Sequence, residues 1–81
     1  MAGFAKNEDE IADRASRFLK AELKRANVTY SGLAERLGKH GLKTETEASI
    51  KSKLARGTFA ATFLLATLAA LELEGVRLGD L

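Results

Sequence analysis

The sequence predicts an all-α fold, a compact bundle of four to five helices with no sheet. Three observations carry that expectation. Apolar residues recur at spacings of three and four rather than alternating, proline is absent from all 81 residues, and seven glycines punctuate the chain at intervals. A chain this long has room for one core, so residues 10–81 read as a single helical domain behind a partly disordered N-terminal arm, residues 1–9. With no cysteine, neither a disulfide nor a thiolate metal site can hold the fold, and packing must do so.

The first helix places Ile11, Ala15, Phe18, Leu19, Leu23 and Ala26 on one face. Arg14, Arg17, Lys20 and Lys24 fall mostly off that face, and Glu22 breaks the stripe, an acid at its edge beside a neighbouring cation. Asn7 with Glu10 resembles a capping box at the helix start, and Asn27 is suited to a left-handed cap at its end. Thr29 caps a short second helix with an inward stripe of Leu33, Ala34 and Leu37, which Gly38 ends. In the connection that follows, Leu42 is the large apolar residue expected to plug into the core. Thr44 and Glu47 form a capping box for a third helix, with Ile50 and Leu54 inward and a stop at Gly57.

The fourth helix begins after Thr58 and is apolar almost all round. Such a helix is either central or shared with a partner. Two readings compete: a homodimer contact through Leu65, Ala69 and Leu73, or a tail, "LELEGVRLGDL", that folds back over the same face. The uncharged run from Gly57 to Leu71 is shorter than the roughly 20 residues a membrane-spanning helix needs. The beginning, "MAGFAKNEDE", is acidic where an export signal is basic and then apolar, so a cytoplasmic location is expected.

The net charge is only +2, but its distribution is uneven. Residues 14–34 carry five bases against Glu22 and residues 35–57 carry six against three acids, while both ends are acidic. Central positive charge suits a polyanionic partner. Catalysis needs converging polar groups, and these are missing. His40, the single histidine, has no acid or thiol at ligand spacing and reads as a surface residue or a phosphate contact. Glu8, Asp9 and Glu10 match the dipole of the first helix, and Glu45 and Glu47 that of the third. "GKHGLKT" departs from a phosphate loop, with no preceding strand and no glycine directly before Lys-Thr. No enzyme activity, cofactor or metal is expected.

What remains is the helix pair. Ala34 and Gly38 supply the small crossing residue and the reversal that a helix-turn-helix needs. With Ile50 and Leu54 inward, Ala48, Ser49, Ser52, Ala55 and Arg56 face outward, flanked by Lys51 and Lys53. Small residues admit the backbone to a groove, the cations reach phosphates on its walls, and Arg56 suits a bidentate guanine contact. The expected partner is double-stranded DNA, contacted by Ser49, Lys51, Ser52, Lys53 and Arg56 and, on the backbone, by Lys39, His40 and Lys43. The alternative is a protein-interaction or oligomerisation module built on the same scaffold, through the apolar fourth helix or the Ala-rich face of the third.

"LKAELKRANVTYSGLAERLG", "IKSKLARG" and "LATLAAL" with "VRLGDL" together resemble the lambda-repressor-like, Cro-type helix-turn-helix family over most of the chain. That resemblance implies a small transcriptional regulator, usually dimeric, whose third helix reads the major groove. The connection from Gly38 to Glu47 is longer than the family's tight turn, Tyr30 stands where repressors commonly carry glutamine, and Glu45 and Glu47 lie at the start of the reading helix. "TEA", "KLARG" and "TF" further resemble a family of small uncharacterised bacterial proteins with no established activity.

Overall fold

The structure, a computed structural model, describes residues 3–81. Met1 and Ala2 of the N-terminal arm lie outside the described residues. Four helices follow in order, α1 (Glu8–Arg25), α2 (Tyr30–Lys39), α3 (Glu47–Arg56) and α4 (Ala61–Ala70), then one 3-10 turn at Leu78–Asp80. No strand forms among the described residues. α3 packs against both α1 and α2, and α4 packs against α2. The Cα radius of gyration is 12.5 Å, against about 12 Å expected for a folded chain of this length.

Capping chemistry sets most of the boundaries. Asn7 accepts from the Glu10 amide at 2.9 Å to start α1, and Thr29 accepts from the Gly32 amide at 3.0 Å to start α2. Helices α1, α2 and α4 then end in the same way. Asn27 (φ 57°), Gly41 (φ 94°) and Glu72 (φ 59°) turn left-handed, and the next residue donates its amide back to the last buried leucine of the helix. Those bonds are Val28 to Leu23 at 2.9 Å, Leu42 to Leu37 at 2.9 Å and Leu73 to Leu68 at 2.8 Å. Each closing residue packs its side chain on the core. This explains Leu42, and it corrects the role given to Gly38, which stays helical while Gly41 makes the reversal.

The third helix begins differently from the expectation. Its cap is Thr46, not Thr44: Thr46 accepts from the Ser49 amide at 3.1 Å and Ser49 Oγ accepts from the Thr46 amide at 2.8 Å. Gly57 ends it with φ 73°. The fourth helix begins three residues after Thr58, with extended Ala60 at its cap and the Phe59 ring 5.1 Å from that of Phe63.

Leu19, Leu33, Leu37, Ile50, Leu54 and Phe63 are fully buried and form the centre of the core. The inward stripe of α1 is rotated from the one expected. Ala12 and Ser16 are buried, whereas Ile11 is 47% exposed and Ala26 is exposed. The cause is the tight crossing with the end of α3. Ser16 Oγ donates to the Leu54 carbonyl, and a Cβ on Gly57 would lie 2.6 Å from the Ala12 carbonyl carbon, so larger side chains cannot occupy this part of α1. Glu22 sits at the stripe's edge as expected, paired with Arg25 at 3.0 Å.

The segment after α4 does not cover the outer face of that helix. It runs along α1, where Arg14 Nη1 donates to the Leu81 carbonyl at 2.9 Å, and Leu65 is left 64% exposed. Arg36 of α2 donates to the Ala70 carbonyl at 3.1 Å and so caps the C-terminal end of α4.

Candidate nucleic-acid interface

Burial of Ile50 and Leu54 fixes the rotation of α3 about its axis. Ala48, Lys51, Ser52, Ala55 and Arg56 are consequently exposed together on its outer side. Arg56 Nη1 donates to Ser52 Oγ at 2.8 Å, one turn back on the same helix. This pins a long side chain along the ridge and lowers the rotamer entropy that a later contact would have to remove. No part of the described chain covers Ser52 or Arg56.

Two residues expected on this ridge are engaged elsewhere. Ser49 belongs to the cap of α3 and also donates to Glu45 Oε1 at 2.7 Å. Lys53 Nζ donates to the same oxygen at 3.0 Å, lies 5.7 Å from the Phe63 ring centre and is only 25% exposed. Burial pushes the Glu45 carboxyl up, but the hydrogen bonds from Ser49 and Lys53 and the Lys53 charge outweigh it and hold the group below its ordinary value. The triad of Glu45, Ser49 and Lys53 thus ties the connection before α3 to the helix itself, and Lys53 carries it against Phe63 of α4. It also neutralises an acid at the helix start, leaving Glu47 as the exposed carboxylate of the first turn.

Lys39, His40 and Lys43 are exposed on the connection between α2 and α3. Lys39 lies in the last turn of α2, where a cation is favoured by the helix dipole. No carboxylate of the described residues lies within ion-pair distance of these three. The described residues also hold no cluster of His, Cys, Asp or Glu that could bind a metal ion. Among the described residues, no helix is long and apolar enough to cross a membrane.

Sequence reasoning left Arg17 and Lys20 out of the site. In the structure both line a shallow cleft of about 330 Å³ together with Arg56, between α1 and the end of α3. Asp9 and Asp13 share that cleft, and Asp13 is paired with Arg17. No sequence signal marked these residues, because the burial of Ser16 that turns them toward α3 is itself not legible in the apolar stripe of α1. Of the residues expected at a homodimer contact, Leu65 and Ala69 of α4 are exposed, whereas Leu73, beyond the end of α4, packs inward as a helix-closing residue and is not part of that face.

Residues 11–76, which hold most of α1 and all of α2, α3 and α4, match the model of a family described as a domain of unknown function, DUF6471. No curated protein and no solved structure matches the chain.

Proposed function

The chain belongs to the DUF6471 family, whose description states no activity, and from the geometry of α3 we propose that it is a double-stranded DNA-binding module of the transcription-regulator kind. The observation that carries this reading is the uncovered ridge of α3, in which Ser52 and Arg56 are hydrogen-bonded to each other between exposed Ala48 and Ala55. The middle and C-terminal half of α3 enter the major groove. Arg56 and Ser52 face base edges, and Lys51 meets a phosphate. Lys20 and Arg17 extend the backbone contacts from α1, and Lys39, His40 and Lys43 extend them from the connection. Glu47 stays outside, because its charge repels phosphate.

Duplex binding measured across salt concentrations tests this reading. The logarithm of affinity should fall with the logarithm of salt with a slope of about −0.9 per neutralised phosphate. A flat response, or no retention of mixed genomic duplexes at low salt, overturns it.

A second reading rests on α4. Leu65 is 64% exposed, Ala61, Thr62 and Ala69 are exposed around it, and the helix carries no charge. This face suits a two-fold contact with another copy, which would present two α3 helices to paired half-sites roughly one DNA turn, about 34 Å, apart. Leu65→Asp should then yield a monomer by sedimentation equilibrium. An unchanged association state removes that contact.

A further inference from the structure

A second and larger cleft, about 800 Å³ in volume, lies between α1 and the segment that follows α4. Its floor is apolar: Phe18 and Ala21 of α1 line it together with Leu73 and Val76. Phe18, Leu73 and Val76 are only half-buried, so apolar surface remains in contact with water there. Covering such surface is favourable in proportion to the area removed from water.

The rim has a definite sign. Arg14, Arg17, Arg25 and Arg77 line the cleft against two carboxylates, Glu22 and Asp80. Glu22 is held by Arg25 at 3.0 Å, and Arg14 is held by Glu10 at 3.1 Å and by the Leu81 carbonyl at 2.9 Å. No carboxylate of the described residues lies within ion-pair distance of Arg77. A guanidinium in that position has donors to offer without first breaking a bond.

These features select a ligand class. An inorganic ion would leave the apolar floor wet, and an apolar body without charge would leave Arg77 unanswered. The volume falls within the roughly 300–1,000 Å³ of small-molecule sites. We propose that the cleft between α1 and the C-terminal segment binds a small organic anion, with its charged head on Arg77 and its apolar body on Phe18, Leu73 and Val76. The head is a carboxylate or a phosphate, both of which match the guanidinium fork. This proposal does not rest on the DNA-binding reading.

The test uses the full chain and two fluorescent probes that differ in charge, anilinonaphthalene sulfonate and neutral phenylnaphthylamine. The sulfonate should bind saturably at one site per chain and more tightly than its neutral counterpart. Arg77→Glu should weaken it by about tenfold or more, the loss expected for one charge-assisted contact. Arg77→Lys, which keeps the charge but not the fork, should fall between the parent and Arg77→Glu, and circular dichroism should show both variants folded. Glu35→Gln, at an exposed position of α2 that does not line the cleft, should change nothing. Decanoate and decyl phosphate should displace the probe, and whichever does so at lower concentration identifies the head group.

Four results overturn the proposal. They are absence of saturable binding, binding indifferent to Arg77→Glu, binding lost in Glu35→Gln, and displacement by neither decanoate nor decyl phosphate.

Discussion

Gly57 caps α3 so close to Ala12 of α1 that a Cβ at position 57 would overlap the Ala12 carbonyl group. The same residue has φ 73°, a conformation that side chains resist. Gly57→Ala therefore meets two penalties at once, backbone strain at the cap and displacement of α1. We expect a loss of about 2–3 kcal/mol in urea unfolding. Gly38→Ala is the contrasting variant, because nothing lies near a Cβ there and the residue is helical. It should be neutral or stabilising by up to about 1 kcal/mol.

Thr67 is fully buried in α4, and its Oγ1 has no hydrogen-bond partner in the structure. Desolvating an unsatisfied hydroxyl is costly, and valine has nearly the same shape. Thr67→Val should raise the thermal midpoint, by an amount corresponding to about 1 kcal/mol. A lowered midpoint would mean that the hydroxyl does find a partner in solution.

Glu45 gives the fold a pH dependence whose sign is fixed by its lowered pKa. A carboxyl depressed in the folded state stabilises fully above the ordinary carboxylate range, and that contribution is lost as pH falls through the folded value. Glu45→Gln should therefore be less stable than the parent at about pH 7, with the difference in melting temperature narrowing by about pH 3. A difference constant across that range would show that the pair with Lys53 does not carry the effect.

Lys20 tests the extension of the proposed DNA surface onto α1. It is exposed and shares a cleft with Arg56, and no carboxylate of the described residues pairs with it. Lys20→Ala should weaken duplex binding about equally for all sequences and make the salt slope shallower by about 0.9. Arg56→Ala should instead relax sequence preference at one position. An unchanged slope for Lys20→Ala would confine contacts to α3 and the connection.

The helices were legible because their cores are periodic and their caps are local. Thr29, Asn27 and Gly57 can each be assigned from a few neighbouring residues, and each occupies the expected place. The start of α3 was less legible for a local reason too. Thr44 followed at three residues by Glu47 fits the usual capping-box pattern, whereas Thr46 has Ser49 at that place, neither the acid nor the amide the pattern calls for. The cap observed at Thr46 goes with a contact beyond the capping window, Glu45 reaching Lys53 eight residues on, across two turns of α3. That choice also removes Ser49 and Lys53 from the outer ridge, which the helical spacing of α3 alone does not reveal.

The rotation of α1 was hidden in the same sense. Periodicity favours large apolar residues such as Ile11, whereas the structure buries Ala12 and Ser16, because the end of α3 comes so close. The direction of the C-terminal segment had no local determinant at all. The side-chain bond that ties it down comes from Arg14, 67 positions earlier in the chain, which donates to the Leu81 carbonyl.

Arg17 lines both the cleft beside Arg56 and the larger one that contains Arg77. A single guanidinium can swing toward only one occupant at a time. Any anion that recruits Arg17 on one side of α1 subtracts a positive charge from the other, and linkage requires the antagonism to be equal in both directions. Opposite faces of one helix, joined by one shared side chain, are thereby able to compete without any change of fold.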